Sequence, residues 1–102
     1  MITKLSIDTS DVDTTKISIL LDDDVFEKKS SSRMFRSQMV LPLIEELLAE
    51  HNQTMRDIRS IQVASGPGSF TGLRVGVTIA NALGFLLDIP VNGQKTLVNP
   101  TY

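Results

Sequence analysis

The stretch from Ser65 to Ile89 constrains the fold more than any other part of the sequence, because it joins a glycine-rich loop to a long apolar run. Gly66–Gly68 reads Gly-Pro-Gly, and Ser69 then supplies a hydroxyl that can cap the start of a helix. From Phe70 to Leu87 the only formal charge is that of Arg74. A helix that is apolar almost all round must be covered on two sides. The stretch therefore predicts a helix over Phe70–Leu87 that is enclosed by more than one neighbour.

Small residues recur on one face of this predicted helix, at Gly76, Ala80 and Gly84. A spacing of four residues places them on the same side, where a second backbone can approach closely. The apolar run from Val75 to Leu87 is too short to cross a bilayer. Two interpretations remain open: a buried core helix of one α/β domain, or a helix that packs on its sheet with one face and on a partner with the other.

Composition excludes several classes of function. The chain has 102 residues, which suits one compact domain, and 41% of them are hydrophobic. The net charge of −2 shows no basic footprint for nucleic acid, and the absence of cysteine excludes disulfides, thiol catalysis and cysteine-ligated zinc. Asp8 interrupts the apolar N-terminus, unlike in a signal peptide, so we expect a cytoplasmic protein.

The periodicity of apolar residues predicts the order β-β-β-α-β-α-β. Three alternating segments form a meander, and two helical crossovers then add further strands, which implies a mixed sheet with the first strand near its centre. Right-handed crossovers place both helices on the same face of the sheet. The predicted elements are strands at Ile2–Ile7, Lys16–Leu21, Val25–Ser30, Ile61–Ala64 and Ile89–Val91, and helices from near Phe35–Ser37 to Glu50 and over Phe70–Leu87.

The first predicted helix has two unusual features. Pro42 lies inside it, and a proline in a helix interior removes an amide donor and can cause a kink. Its apolar residues cover about half of the helical wheel, which is wider than the stripe of roughly 100° that one core face needs. Both helices thus have surplus apolar surface, and together they predict a docking face for a partner.

Candidate catalytic residues are sparse. The loop at Gly66–Ser69 matches neither the P-loop nor the dinucleotide fingerprint, because the required lysine and glycine spacings are missing. The turn Asp8–Ser10 could hold phosphate or a magnesium-bound water, but it offers one carboxylate. We interpret Asp22–Asp24 as a solvated hairpin tip and His51 as a helix-end cation. Two alternatives remain open. In one, the chain is a homodimer that self-associates through its helix face and has no catalytic partner; in the other, Asp8–Ser10 and Gly66–Ser69 hold phosphate across a dimer as a half-site phosphotransferase or ATPase.

Three segments together resemble the N-terminal domain of the TsaB (YeaZ) family. They are the turn Asp8–Ser10 after the first strand, the helix segment LPLIEELL at Leu41–Leu48, and SGPGSFTGLRVGVTIANALG at Ser65–Gly84. The resemblance implies an α/β fold, a single actin/Hsp70-like ATPase (ribonuclease-H-like) lobe with the mixed sheet described above. It also implies that residues 1–102 form one N-terminal TsaB-like domain without the second lobe of the family.

The same resemblance implies a function. The family is a non-catalytic part of the bacterial machinery that makes threonylcarbamoyladenosine on tRNA. It binds and activates the catalytic paralogue TsaD, supports a TsaE-type ATPase, contacts tRNA only indirectly and forms a homodimer in isolation. No cofactor or metal is expected, because TsaD's pair of metal-binding histidines has no counterpart and Arg36 stands where many relatives carry a histidine.

The resemblance also assigns candidate residues. The family's partner contact uses the two helices, here Arg36–Glu50 and Phe70–Leu87. The candidate partner-binding residues are Arg36, Val40, Leu41, Ile44, Leu48, Thr71, Arg74, Val75, Gly76, Thr78, Ala80 and Ala82. The loop motif comprises Gly66, Pro67, Gly68, Ser69, Phe70, Thr71 and Gly72, and a vestigial phosphate loop comprises Asp8, Thr9 and Ser10.

Overall fold

A four-stranded mixed sheet forms one layer of the fold. The computed structural model describes residues 2–31 and 36–101, with the side chains of these ranges except those of residues 2, 3, 36, 37 and 70. The strands are β1 (Ile2–Asp8), β2 (Thr15–Leu21), β3 (Asp24–Ser30) and β4 (Ile61–Val63). Their order is β3-β2-β1-β4, with β1 parallel to β4 and the other pairs antiparallel. The first strand is therefore central, as predicted.

Two helices form the second layer, on one face of the sheet. They are α1 (Arg36–Glu50) and α2 (Phe70–Leu87), and a short 3-10 turn at Met55–Asp57 precedes β4. Alternate strand residues point toward them, so the period of two in the sequence separates the core from the outer face. The core on the helix side includes Leu5, Ile7, Ile17, Ile19, Ile61 and Val63, together with residues of both helices. Both helices thus share one core, as the crossover argument predicted.

Helix α1 divides cleanly between core and solvent. Its buried stripe follows the 3.6-residue period, and it contacts β2 and β3. The helix continues through Pro42, which is exposed, so the amide that proline lacks lies on the solvent side. Lys28 of β3 reaches this helix and forms ion pairs with Glu50 and with Glu46, the latter at 3.3 Å. The predicted helix is confirmed, and the proline does not end it.

Helix α2 has well-defined ends. The Ser69 hydroxyl accepts a hydrogen bond from the Gly72 amide at 3.3 Å, which confirms the predicted cap. At the other end Asp88 adopts a left-handed conformation with φ of 54°, and the Ile89 amide donates to the Gly84 carbonyl at 3.0 Å. Over residues 2–31 and 36–101, neither helix combines the length and the apolar character that a membrane crossing requires.

The predicted last strand, Ile89–Val91, is wrong in extent. Only Val91 forms a bridge there, parallel to Ile61 of β4. Pro90 contributes a carbonyl to the Ile61 amide but has no amide of its own to donate. Asn92 and Gly93 then turn the chain, with φ of 51° and 79°. Strand-like pairing with β4 is therefore limited to a single residue, Val91.

Candidate docking surface

The small-residue face of α2 points into the chain, not toward a partner. Ala80 is completely buried, and Gly76 and Gly84 are buried as well. A Cβ atom added to Gly84 would lie 2.5 Å from Cγ2 of Val91, and one added to Gly76 would collide with the hydroxyl of Thr9. The expectation that Gly76 and Ala80 contact a partner is therefore wrong, because the β-sheet and the residues after α2 already fill this side.

Thr9 explains why α2 needs glycine at this point. Its buried hydroxyl donates to the Gly72 carbonyl and accepts from the Gly76 amide at 3.1 Å. These two backbone groups are four residues apart, so they would otherwise pair with each other in an α-helix. The Thr9 side chain is thus inserted into the helix ladder and joins the end of β1 to α2. In this structure Thr9 has a structural role.

The turn Asp8–Ser10 and the glycine-rich loop lie against each other. The Asp8 carboxylate accepts from the Ser10 amide at 2.9 Å and from the Ser10 hydroxyl at 2.6 Å. The Ser69 amide donates to the Ser10 carbonyl at 3.0 Å, and a Cβ on Gly68 would lie 2.9 Å from that of Ser10. The sequence named both loops as phosphate holders across a dimer, and the structure brings them together within one chain. Their donors at Ser10 and Ser69 are engaged in bonds that hold the turns together.

Three of the candidate residues on α1 belong to the core. Val40, Ile44 and Leu48 are at most 1% exposed and pack against the sheet. Their assignment as partner contacts is wrong, because a side chain enclosed by its own sheet cannot meet a second protein without unfolding. Leu41, on the opposite side, is 38% exposed and stays a candidate. The side chain of Arg36 lies outside the described residues.

The outward face of α2 carries the remaining candidates. Thr71, Arg74, Thr78 and Ala82 are exposed, and Val75 is partly buried. Spacings of seven and four residues place Thr71, Thr78 and Ala82 along one line of the helix. Of the loop motif, Gly66, Pro67 and Gly68 are exposed, whereas Gly72 is buried and the side chain of Phe70 lies outside the described residues.

Sequence reasoning missed the most exposed large apolar side chains in the described part of the chain. Phe85 is 85% exposed, Leu86 75% and Leu97 70%. Phe85 lies three residues after Ala82 and seven after Thr78, so it continues the outward line of α2. That spacing was visible in the sequence, but apolar residues occupy almost every side of this helix, so the pattern alone does not show which side faces solvent. We define the candidate docking surface as Leu41, Thr71, Arg74, Val75, Thr78, Ala82, Phe85 and Leu86.

The acidic residues that the structure describes do not form a metal-binding cluster. Within residues 2–31 and 36–101, no group of three or more histidine, aspartate or glutamate side chains is arranged to hold a metal ion. His51 stacks near Phe26, with ring centroids 4.0 Å apart and the planes tilted by 32°. This aromatic contact gives the only histidine of the chain a packing role at the end of α1.

The strand order and the two helices on one face define a ribonuclease-H-like lobe of the actin/Hsp70-like ATPase class, as expected from the sequence. A family model described as TsaD, tRNA N6-adenosine threonylcarbamoyltransferase, matches residues 30–98. Because this match spans more than half of the chain, the chain belongs to that family, and its resemblance to the TsaB (YeaZ) proteins within it is confirmed.

Individual relatives agree with this assignment. The chain is 38% identical over 96 residues to the tRNA threonylcarbamoyladenosine biosynthesis protein TsaB of Bacillus subtilis, covering 93% of this chain and 42% of that protein. It is 44% identical over 54 residues to the tRNA N6-adenosine threonylcarbamoyltransferase of Nitrosospira multiformis, covering 53% of this chain and 16% of the enzyme.

A solved structure gives the same result for the fold. YeaZ from Pseudomonas aeruginosa superimposes with a TM-score of 0.83 at 28% identity, over 89% of this chain and 42% of that one. The chain thus spans less than half the length of the relatives that it matches.

Proposed function

We propose that the chain acts in the biosynthesis of threonylcarbamoyladenosine on tRNA, as a non-catalytic subunit that docks a TsaD-type transferase. The names of its relatives support the pathway. Its similarity to the transferase itself supports the partner, because two homologous lobes present comparable helix pairs to each other. Support of a TsaE-type ATPase stays a prediction from the resemblance.

One observation carries the proposal: the large apolar side chains at the end of α2 are exposed. Phe85 and Leu86 stand in solvent beside each other on a helix whose other sides are buried. Aromatic and large aliphatic residues provide much of the energy of protein interfaces when a partner removes them from water. Full burial of one such side chain contributes about 1.5–3 kcal/mol. The outward face of α2 therefore supports a protein contact better than it supports chemistry.

A mixing experiment tests the proposal. The chain is combined with the TsaD-type protein of the same organism, and the molar mass is measured by light scattering after size-exclusion chromatography. We expect a 1:1 or 2:2 complex at micromolar concentration. If each protein elutes alone, the docking proposal is wrong, and the mass of the chain alone then shows whether this surface serves a homodimer.

A matched pair of variants locates the surface. Phe85→Asp places a charge in the centre of the proposed contact, and we expect the complex to be lost. Val12→Asp introduces the same charge at a different exposed apolar residue, in the turn between β1 and β2, and we expect the complex to persist. Equal binding by both variants would place the contact elsewhere.

A further inference from the structure

Residues 98–101 form a strap that crosses from α2 to the glycine-rich loop. The Asn81 side chain on α2 holds Val98 in both directions: Oδ1 accepts from the Val98 amide at 3.0 Å, and Nδ2 donates to the Val98 carbonyl at 2.9 Å. Three residues later the Thr101 amide donates to the Ser65 carbonyl at 2.6 Å. The strap therefore has one anchor on the helix and one on the loop.

The loop is fitted closely to the strap. Gly66 has a φ of 133°, which side chains rarely adopt, and a Cβ atom there would collide with the Thr101 backbone. On the opposite side, the loop is held to the first turn through the bond from Ser69 to Ser10. The glycine-rich loop thus contacts the strap at its start and the turn after β1 at its end.

We propose that this strap is a latch, whose two anchors open and close together and so set whether the start of the glycine-rich loop, at Ser65 and Gly66, is in contact with the strap. Only two residues separate Val98 from Thr101, and one of them is Pro100, which restricts the backbone. When one anchor is closed, the short connection keeps the other at a high effective concentration. Release of the Asn81 pair therefore weakens the bond at Ser65, 16 positions earlier in the chain.

The latch goes beyond the docking function because it acts within one molecule. Val98 is buried, whereas Leu97, Asn99 and Thr101 are exposed, so the strap rests on the core at a single side chain. Segments with few buried contacts open at a lower free energy than the whole fold. Opening of the strap exposes the Ser65 carbonyl and one side of Gly66 while the sheet remains intact.

Amide hydrogen exchange measured by NMR on the complete, nitrogen-15-labelled chain tests the coupling. In Asn81→Ala we expect exchange at Val98 and also at the remote Thr101 to accelerate at least about fivefold, the scale of one or two lost hydrogen bonds. Exchange at Ile17 and Ile19, in the core strand β2, stays unchanged. The control Asn99→Ala removes an exposed asparagine of the strap and leaves all of these rates as they are.

The reciprocal variant acts at the other anchor. Thr101→Pro removes the amide that donates to Ser65, whereas Thr101→Ala keeps it. With a latch, Thr101→Pro accelerates exchange at Val98 and shifts the Gly66 resonance, and Thr101→Ala does neither. If the exchange rate of the Val98 amide is unchanged in Thr101→Pro, the two anchors are independent and the latch proposal is wrong. The two Thr101 variants also test the coupling of the anchors if Asn81→Ala destabilises the entire fold, because Thr101 is exposed.

Discussion

The side chain of Asn92 pairs with the backbone of Val63 in both directions, as a strand residue pairs through its own backbone. Its Oδ1 accepts from the Val63 amide at 2.8 Å, and its Nδ2 donates to the Val63 carbonyl at 3.0 Å. The backbone of the same residue donates to the Ile61 carbonyl at 2.8 Å. One asparagine therefore completes the outer edge of β4 where the backbone of a fifth strand is missing.

Replacement of Asn92 by aspartate tests this pairing. The carboxylate still accepts from the Val63 amide and tolerates a φ of 51°, but it cannot donate to the Val63 carbonyl. We expect a loss of about 1–3 kcal/mol in the free energy of unfolding, measured by urea titration at neutral pH. Asn99→Asp, at an exposed position, is the control. Equal stability of the two variants would show that the pairing contributes nothing.

The insertion of Thr9 into α2 predicts an unusual response to a helix-favouring change. Alanine in place of glycine inside a helix normally stabilises by about 0.5–1 kcal/mol. At Gly76 we expect the opposite sign, a loss of about 1–3 kcal/mol, because the added methyl group meets the Thr9 hydroxyl. Thermal unfolding followed by circular dichroism measures the difference, with Thr78→Ala on the exposed face as the control.

A double-mutant cycle identifies the cause of that loss. Thr9→Ala removes the hydroxyl and leaves room for a methyl group at position 76. We expect the double variant to be more stable than the sum of the two single changes predicts, since neighbouring sites are not additive. Strict additivity would mean that Gly76 is required for a reason other than Thr9.

The two sides of α1 predict separate effects on stability and binding. Ile44→Ala leaves a cavity in the core, and we expect a loss of about 2–5 kcal/mol in unfolding free energy. Leu41→Ala changes stability by only about 0.5 kcal/mol but weakens the complex with the TsaD-type protein. Chemical denaturation and isothermal titration calorimetry distinguish the two. Unchanged affinity in Leu41→Ala would remove α1 from the docking surface.

The ion pairs of Lys28 predict a dependence of stability on pH. The hydrogen bond to Glu50, followed by the influence of Glu46, raises the pKa of Lys28 above its usual 10.5, although desolvation opposes this. A raised pKa in the folded state stabilises the fold below pH 10.5 and loses that effect as the pH rises through the folded-state value. We expect the melting temperature of Lys28→Met to lie below that of the unmodified chain at pH 7, and the difference between the two temperatures to narrow above pH 10.5. Because Lys28 is accessible to solvent, concentrated salt also narrows the difference in melting temperature.

Most of the fold could be predicted from the sequence, because the period of two in the strands and of 3.6 in the helices is strong. The central place of the first strand in a mixed sheet followed from the meander and the crossover rule, and the cap at Ser69 from its position before the apolar run. The extent of the last strand could not be predicted, because a side chain replaces the backbone there. A short apolar triplet gives no sign that Asn92 performs this role.

The candidate surface was predicted only in part, for a physical reason. On α2 the apolar residues cover almost every side, so periodicity alone does not tell the core face from the exposed face. The small residues suggested a close approach, and one exists, but Thr9 and Val91 of the same chain make it. A contact between positions 67 residues apart, such as Thr9 with Gly76, leaves no local pattern in the sequence.

The inserted hydroxyl of Thr9 also restricts which substitutions the chain tolerates. Positions 9 and 76 are constrained as a pair, since a side chain at position 76 has room only if the Thr9 hydroxyl is absent or moves. The outward residues of α2 do not carry that restraint, because their side chains are exposed. The fold of this chain therefore tolerates substitution on α2 best on the side that faces solvent.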